Sequence, residues 1–170
     1  GLLLMAQNKK FAIGVDYGTN SVRALIVDLT DGSEVGTSVY NYPSGDAGIL
    51  LNPADPMTAR QSPRDYVIGF NTSVAEAVRM ASETPGFSID SVVGIGVDTT
   101  GSTPIPVDAD GTPLAFKPEF ADNLAAQAWL WKDHTSIEEA AEITRLAREK
   151  HPAYLVKCGG IYSSEWWWAK

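Results

Sequence analysis

Between Phe11 and Asp28 the chain reads FAIGVDYGTNSVRALIVD. Two apolar runs, Phe11 to Val15 and Val22 to Val27, flank Asp-Tyr-Gly-Thr-Asn-Ser, so two strands must fold back on each other across a tight polar turn. A third strand-like run, Glu34 to Tyr40, follows the hairpin signal Asp31-Gly32. The pattern predicts an antiparallel three-strand meander. It also leaves an acid, Asp16, at a strand end where a plain hairpin needs only a turn.

Residues 42–61 are rich in Pro and Gly and read as a loop insertion. Ser62-Pro63 then opens a helix, with Val67, Phe70, Val74, Ala77 and Val78 at helical spacing up to about Ser82. Val92 to Val97 is a continuous apolar run that predicts a strand buried on both faces, and Asp108 to Gly111 a turn into another short strand. Residues 128–134, AWLWKDH, form a further buried segment in which Trp129 and Trp131 alternate with Leu130, so one Trp belongs to the core. Ser136 and Glu139 have capping-box spacing before a helix over Ile137 to Lys150, which Pro152 stops. Ser163 or Ser164 is placed to cap one more helix after Gly159-Gly160. On that helix Trp166, Trp167 and Trp168 would sweep roughly 200° of the circumference, too wide for one buried face, which reads as truncation. The element order predicts an α/β fold: a mixed sheet with flanking helices.

Composition narrows the function. The formal charge of −8 and pI near 4.6, without a block of Lys or Arg, exclude a nucleic-acid partner. No apolar run approaches the ~20 residues of a membrane span. Gly1 to Leu4 reads as a tag remnant ahead of a start at Met5, with residues 1–9 as leader. The single cysteine, Cys158, allows no intramolecular disulfide and fits a cytoplasmic setting.

A strand ending in Asp and continuing Gly-Thr-Asn-Ser offers clustered backbone N–H groups and hydroxyls, the donors a phosphate wants, while Asp16 can hold a hydrated Mg²⁺ beside them. Arg23, on the second strand, adds a charge-assisted contact. Taken alone the motif is short. A hairpin with Gly18 at positive φ and Asp16 accepting turn hydrogen bonds accounts for it equally.

The stretch GVDYGTNSVRALIVD resembles the first phosphate loop of the actin-like ATPase superfamily. VGIGVDTTGSTPIPVDADGTPL, LWKDHT and GGIYSSEWWWAK are similar to the bacterial ribulokinases of the FGGY carbohydrate kinase family. The resemblance covers nearly all of residues 10–170 and implies a ribonuclease H-like lobe, with residues 10–170 as the amino-terminal part of the first lobe and the rest of that lobe and the second lobe absent. It implies ATP and Mg²⁺ as cofactors. Gly18, Thr19, Asn20, Ser21 and Arg23 would surround the β- and γ-phosphates, and Asp16 would meet the metal through water. The catalytic base would be an Asp beyond Lys170, so the isolated chain would be inactive, and neither Asp98 nor Asp133 takes its place.

On the sugar side the resemblance implies Thr100, Gly101 and Ser102, with Trp131 packed on the carbon chain and Lys132 or Asp133 fixing hydroxyls. A Thr/Ser-rich turn satisfying its own backbone also accounts for residues 98–103. Ile161 or Tyr162 would border the sugar. His134 reads as structural, Glu165 as favouring a helix dipole, and the Trp run as packing. The implied substrate is L-ribulose, phosphorylated to L-ribulose 5-phosphate in arabinose breakdown. An FGGY kinase for xylulose or glycerol and a non-catalytic actin-like module remain as alternatives, and oligomeric state stays open, a homodimer included.

Overall fold

The computed structural model describes residues 8–170. Most of the expected leader, residues 1–7, lies outside the described residues. The chain divides into two compact units, one built from residues up to Tyr42 together with Tyr66–Thr99, the other from Pro43–Asp65 and Thr100–Lys170.

In the first unit the predicted meander forms as β1 (Phe11–Tyr17), β2 (Ser21–Asp28) and β3 (Glu34–Asn41), joined through antiparallel pairing. The pleat buries Phe11, Ile13 and Val15 of β1 and Val22, Ala24 and Ile26 of β2 on one face. Against that core pack Tyr66, Phe70, Val74, Ala77, Val78 and Ala81 of α1 (Pro63–Ala81), the stripe that the helical spacing predicts. Helix and sheet touch backbone to backbone at Gly36, where a Cβ would lie 2.2 Å from the Ala77 carbonyl oxygen.

Asp28 closes the β2 end of this layer. It is buried yet ionised: the Lys9 ammonium at 2.8 Å and the Thr30 N–H at 2.9 Å hold its carboxyl down at about 2. Gly32 takes φ 77 in the turn that follows, as the Asp-Gly signal requires.

Here the fourth strand of the chain's first sheet corrects an expectation. The run at Val92 forms a strand (Val92–Thr99) that pairs parallel to β1, giving the order β3-β2-β1 and then this strand at the edge. It is not buried on both faces: Val93, Ile95 and Val97 are each more than half exposed. An apolar run reports composition, whereas burial depends on position in the sheet.

The second unit contains strands where a loop was expected. β4 (Leu50–Asn52) and β5 (Asp55–Gln61) pair antiparallel, and in chain order the edge strand Val92–Thr99 is β6; β5 also pairs with β7 (Ala128–Trp129). The turn at Asp108 forms, with Gly111 at φ 80, but the strand after it shrinks to an isolated bridge between Val107 and Pro113. α2 (Ile137–Lys150) occupies its predicted span without the capping box, since Ser136 makes no side-chain cap. Pro152 opens α3 (Pro152–Val156) instead of only ending α2.

No helix carries the Trp run. Residues 163–169 form successive turns closed by Trp166 N–H to Ser163 O and Ala169 N–H to Trp166 O. Trp166 meets Tyr162 edge-on at 4.8 Å, while Trp167 and Trp168 stack at 4.1 Å and stay more than half exposed. No described helix is long and apolar enough to cross a membrane.

Candidate functional site

In the first unit, three strands bring Asp16, Arg23 and Asp98 to one level. Asp16 is the register partner of Arg23 across the β1–β2 pair and of Asp98 across the β1–β6 pair. Cross-strand partners share a face, here the one turned away from the α1-covered core, and all three side chains are exposed. One step earlier in the pleat lie Gly14, Leu25 and Gly96, and the two glycines have nothing within 4 Å of where a Cβ would point. These residues line a cleft of about 400 Å³.

The loop beside it is fastened at both ends. Gly18 N–H donates to Ser21 O at 2.8 Å, and Asn20 O accepts from Tyr42 N–H at 2.9 Å. Gly18 is not at positive φ; its glycine character serves the close approach, since a Cβ would stand 3.2 Å from Ser21 O.

This arrangement suits a hydrated divalent cation next to an anion. Mg²⁺ typically keeps several waters and takes one or two carboxylates, which Asp16 and Asp98 supply; no cluster of three or more potential ligands occurs among the described residues. Arg23, at the same level, carries a planar donor fork of the kind that can pair with an oxyanion. Sequence reasoning named Asp16 and Arg23 for this end, whereas it only declined Asp98 the role of base and read it as the start of the 98–103 segment. The signal was available, because Ile13-Gly14-Val15-Asp16 and Ile95-Gly96-Val97-Asp98 are the same tetrapeptide.

In the second unit, Thr100, Ser102 and Trp131 are drawn together. Thr100 and Thr103 share a hydroxyl hydrogen bond at 2.9 Å, and Thr103 Oγ1 accepts the Trp131 N–H at 3.2 Å. Ser102 takes the left-handed φ 59, while Gly101 does not, so the strain falls on the serine. Lys170 Nζ donates to Ser102 O at 2.9 Å and to Leu130 O at 2.7 Å. The Lys132 ammonium stands 5.3 Å from the Trp131 ring centroid.

Of the Trp pair, Trp129 is the framework member. The Arg60 guanidinium lies 3.3 Å above its ring, and its Nε1 donates to Ala125 O.

Asp133 is reassigned. It is fully buried, with Oδ2 accepting from Arg60 Nε at 2.7 Å and Ala59 N–H at 2.9 Å and Oδ1 from the N–H and hydroxyl of Thr135. Burial opposes its ionisation, but these donors outweigh it and hold the carboxyl below its usual range. With both oxygens occupied and no exposure, it joins β5 to the 131–135 segment and has no face for a sugar hydroxyl.

The residues after Gly160 are tied to the same unit. His134 bonds Ser164 Oγ through Nδ1 at 3.0 Å and faces Glu165 Oε1 through Nε2 at 3.5 Å. Glu165 therefore serves His134 rather than a helix dipole. Tyr162 N–H donates to Thr144 Oγ1, and Ile161 is exposed.

No family model matches the chain. Curated relatives do: it is 46% identical over 164 residues to the ribulokinase of Vibrio parahaemolyticus, covering 96% of this chain and 28% of that one. It is 41% identical over 165 residues to the ribulokinase of Shouchella clausii, with 93% and 28% covered. The chain thus spans about 28% of the length of these relatives, corresponding to their amino-terminal part. Among solved structures it resembles a xylulose kinase from Brucella ovis (TM-score 0.65, 22% identity, 92% of this chain and 26% of that one). It also resembles a Plasmodium falciparum glycerol kinase solved with ADP (TM-score 0.63, 16% identity, 93% and 27%). The fold is that of the FGGY sugar kinases, an actin-like ATPase fold.

Proposed function

We propose that this chain, a homologue of ribulokinases, forms the amino-terminal part of the first lobe of a kinase that transfers the γ-phosphoryl group of ATP to the 5-hydroxyl of L-ribulose. The observation that carries the reading is the row Asp16, Arg23 and Asp98 on one open sheet face, within a chain 46% identical to a ribulokinase. Gly18, Thr19, Asn20 and Ser21 surround the β- and γ-phosphates with backbone and hydroxyl donors, and Arg23 pairs with their oxygens. Asp16, with Asp98 as its neighbour, would hold Mg²⁺ through a bridging water. Mg²⁺, when bound, neutralises charge developing on the transferring phosphoryl group, so catalysis is mainly positioning and electrostatics.

At the sugar end, Thr100, Gly101 and Ser102 offer hydroxyls and amides, Trp131 an apolar face, and Lys132 a cation. The base that takes the sugar proton belongs to sequence outside this chain, which is therefore inactive by itself. A cytoplasmic setting fits the lone Cys158.

The test is ADP release by the full-length protein against L-ribulose, D-ribulose, xylulose and glycerol, with the 170-residue chain as control. Preference for L-ribulose and a silent control support the reading. Preference for xylulose or glycerol keeps the kinase and replaces its sugar.

A further inference from the structure

Two backbone segments of the second unit meet at one side chain, Lys170. Its Nζ reaches Ser102 O and Leu130 O at 2.9 and 2.7 Å, within the range of charge-assisted hydrogen bonds. Ser102 is one of the expected sugar contacts, and Leu130 immediately precedes another, Trp131. A second tie runs parallel to the first, from the Trp131 N–H to the Thr103 hydroxyl.

Two features make the lysine more than a surface cation. Ser102 is held at φ 59, a conformation that a residue with a Cβ keeps only where its surroundings impose it, and the ammonium sits on that residue's own carbonyl. Burial also works against the charge, pulling the Lys170 pKa down to about 8 despite the Asp133 and Glu165 carboxylates, with Arg60 adding repulsion. A lysine placed there at an electrostatic cost donates to backbone groups that shape the surface around Thr100, Ser102 and Trp131.

We propose that Lys170 is a positioning residue for the sugar side of the site, its ammonium clamping the Ser102 and Leu130 carbonyls so that Thr100–Ser102 and Trp131 present one preformed surface. The proposal rests on the kinase reading above. It concerns sugar recognition and leaves the phosphate end untouched.

The experiment compares Lys170→Met and Lys170→Arg in the full-length protein. Steady-state kinetics are read together with amide hydrogen exchange of the peptides covering 100–103 and 129–132. In the Met variant the KM for L-ribulose rises about tenfold, the loss expected for hydrogen bonds from a charged group. The KM for ATP stays within about twofold, and exchange accelerates in those two peptides. Arg, which keeps the charge and donors, recovers most of the loss. An unchanged sugar KM, or equal rises for sugar and ATP, overturns the proposal. Should the Met variant fail to fold, Lys170→Gln gives the same two readings. If the wild-type protein turns over no ribulose, the ribulose reading fails, and exchange alone decides the clamp: acceleration in both peptides supports it, and no change overturns it.

Discussion

Asp16 and Asp98 lie side by side as register partners on the parallel strands β1 and β6, each ending the same tetrapeptide, Ile-Gly-Val-Asp. Under the proposed reading, the two carboxylates at one level, with Arg23 beside them on β2, would hold a hydrated cation next to a phosphate. Asp98→Asn in the full-length protein should therefore raise the Mg²⁺ concentration for half-maximal turnover by about tenfold, as loss of a group supporting a metal does. Initial rates against Mg²⁺ measure this. Superimposable titrations would show that Asp98 has no part in holding the metal.

The Asp28–Lys9 pair predicts an acid limb in stability. The Asp28 pKa is lowered to about 2 in the fold from a normal 3.8, so the folded state favours the ionised form. Its contribution is fully present above about pH 4 and is lost as pH falls toward 2. The Lys9 pKa is raised by the same contact, so its share is present below its unfolded value and is lost at high pH. Lys9→Met should flatten the dependence between pH 4 and 2, read by denaturant unfolding at each pH. An unaltered slope would mean that the pair does not govern it.

Asp133→Ala should destabilise the chain by about 3–5 kcal/mol, because it strands the buried Arg60 guanidinium. Replacing both members by apolar residues, as in Arg60→Met with Asp133→Leu, should cost less than the single change. Equilibrium unfolding of the two variants beside the wild type separates this framework role from sugar binding. A stable Asp133→Ala with an impaired sugar KM would restore the sugar contact.

Gly36→Ala places a methyl group 2.2 Å from the Ala77 carbonyl oxygen, which only a shift of α1 away from β3 can relieve. Overpacking of this kind costs about 1–3 kcal/mol. A melting temperature equal to the wild type would contradict the close helix–sheet approach.

The elements legible in the sequence are β1, β2, β3, α1 and α2, whose period of two or 3.6 is unbroken, and β6, whose apolar run marks the strand but not its exposure. What escaped depended on partners distant in sequence. β5 carries Asp, Pro and Arg and gains its strand form by pairing with β4 and β7. The openness of β6 follows from its edge position, and Ser136 and the Trp run have local signals for a cap and a helix that backbone turns override. In the site, Asp16 and Arg23 stand out because their strands adjoin in sequence. Asp98 gains its place only through the parallel register across some 80 residues, and Asp133 loses its expected role only when Arg60, 73 residues away, is seen on its carboxylate.

The central claim is that the Asp16–Arg23–Asp98 face is the phosphate end of a ribulose-phosphorylating site. The most direct measurement is kcat/KM for L-ribulose phosphorylation by the full-length protein with Arg23 intact and with Arg23→Ala, alongside the melting temperature of each. The account predicts a fall of about a hundredfold, the loss typical of one donor to transition-state charge, with unchanged melting because Arg23 is exposed. Equal turnover by a folded Arg23→Ala protein would contradict it.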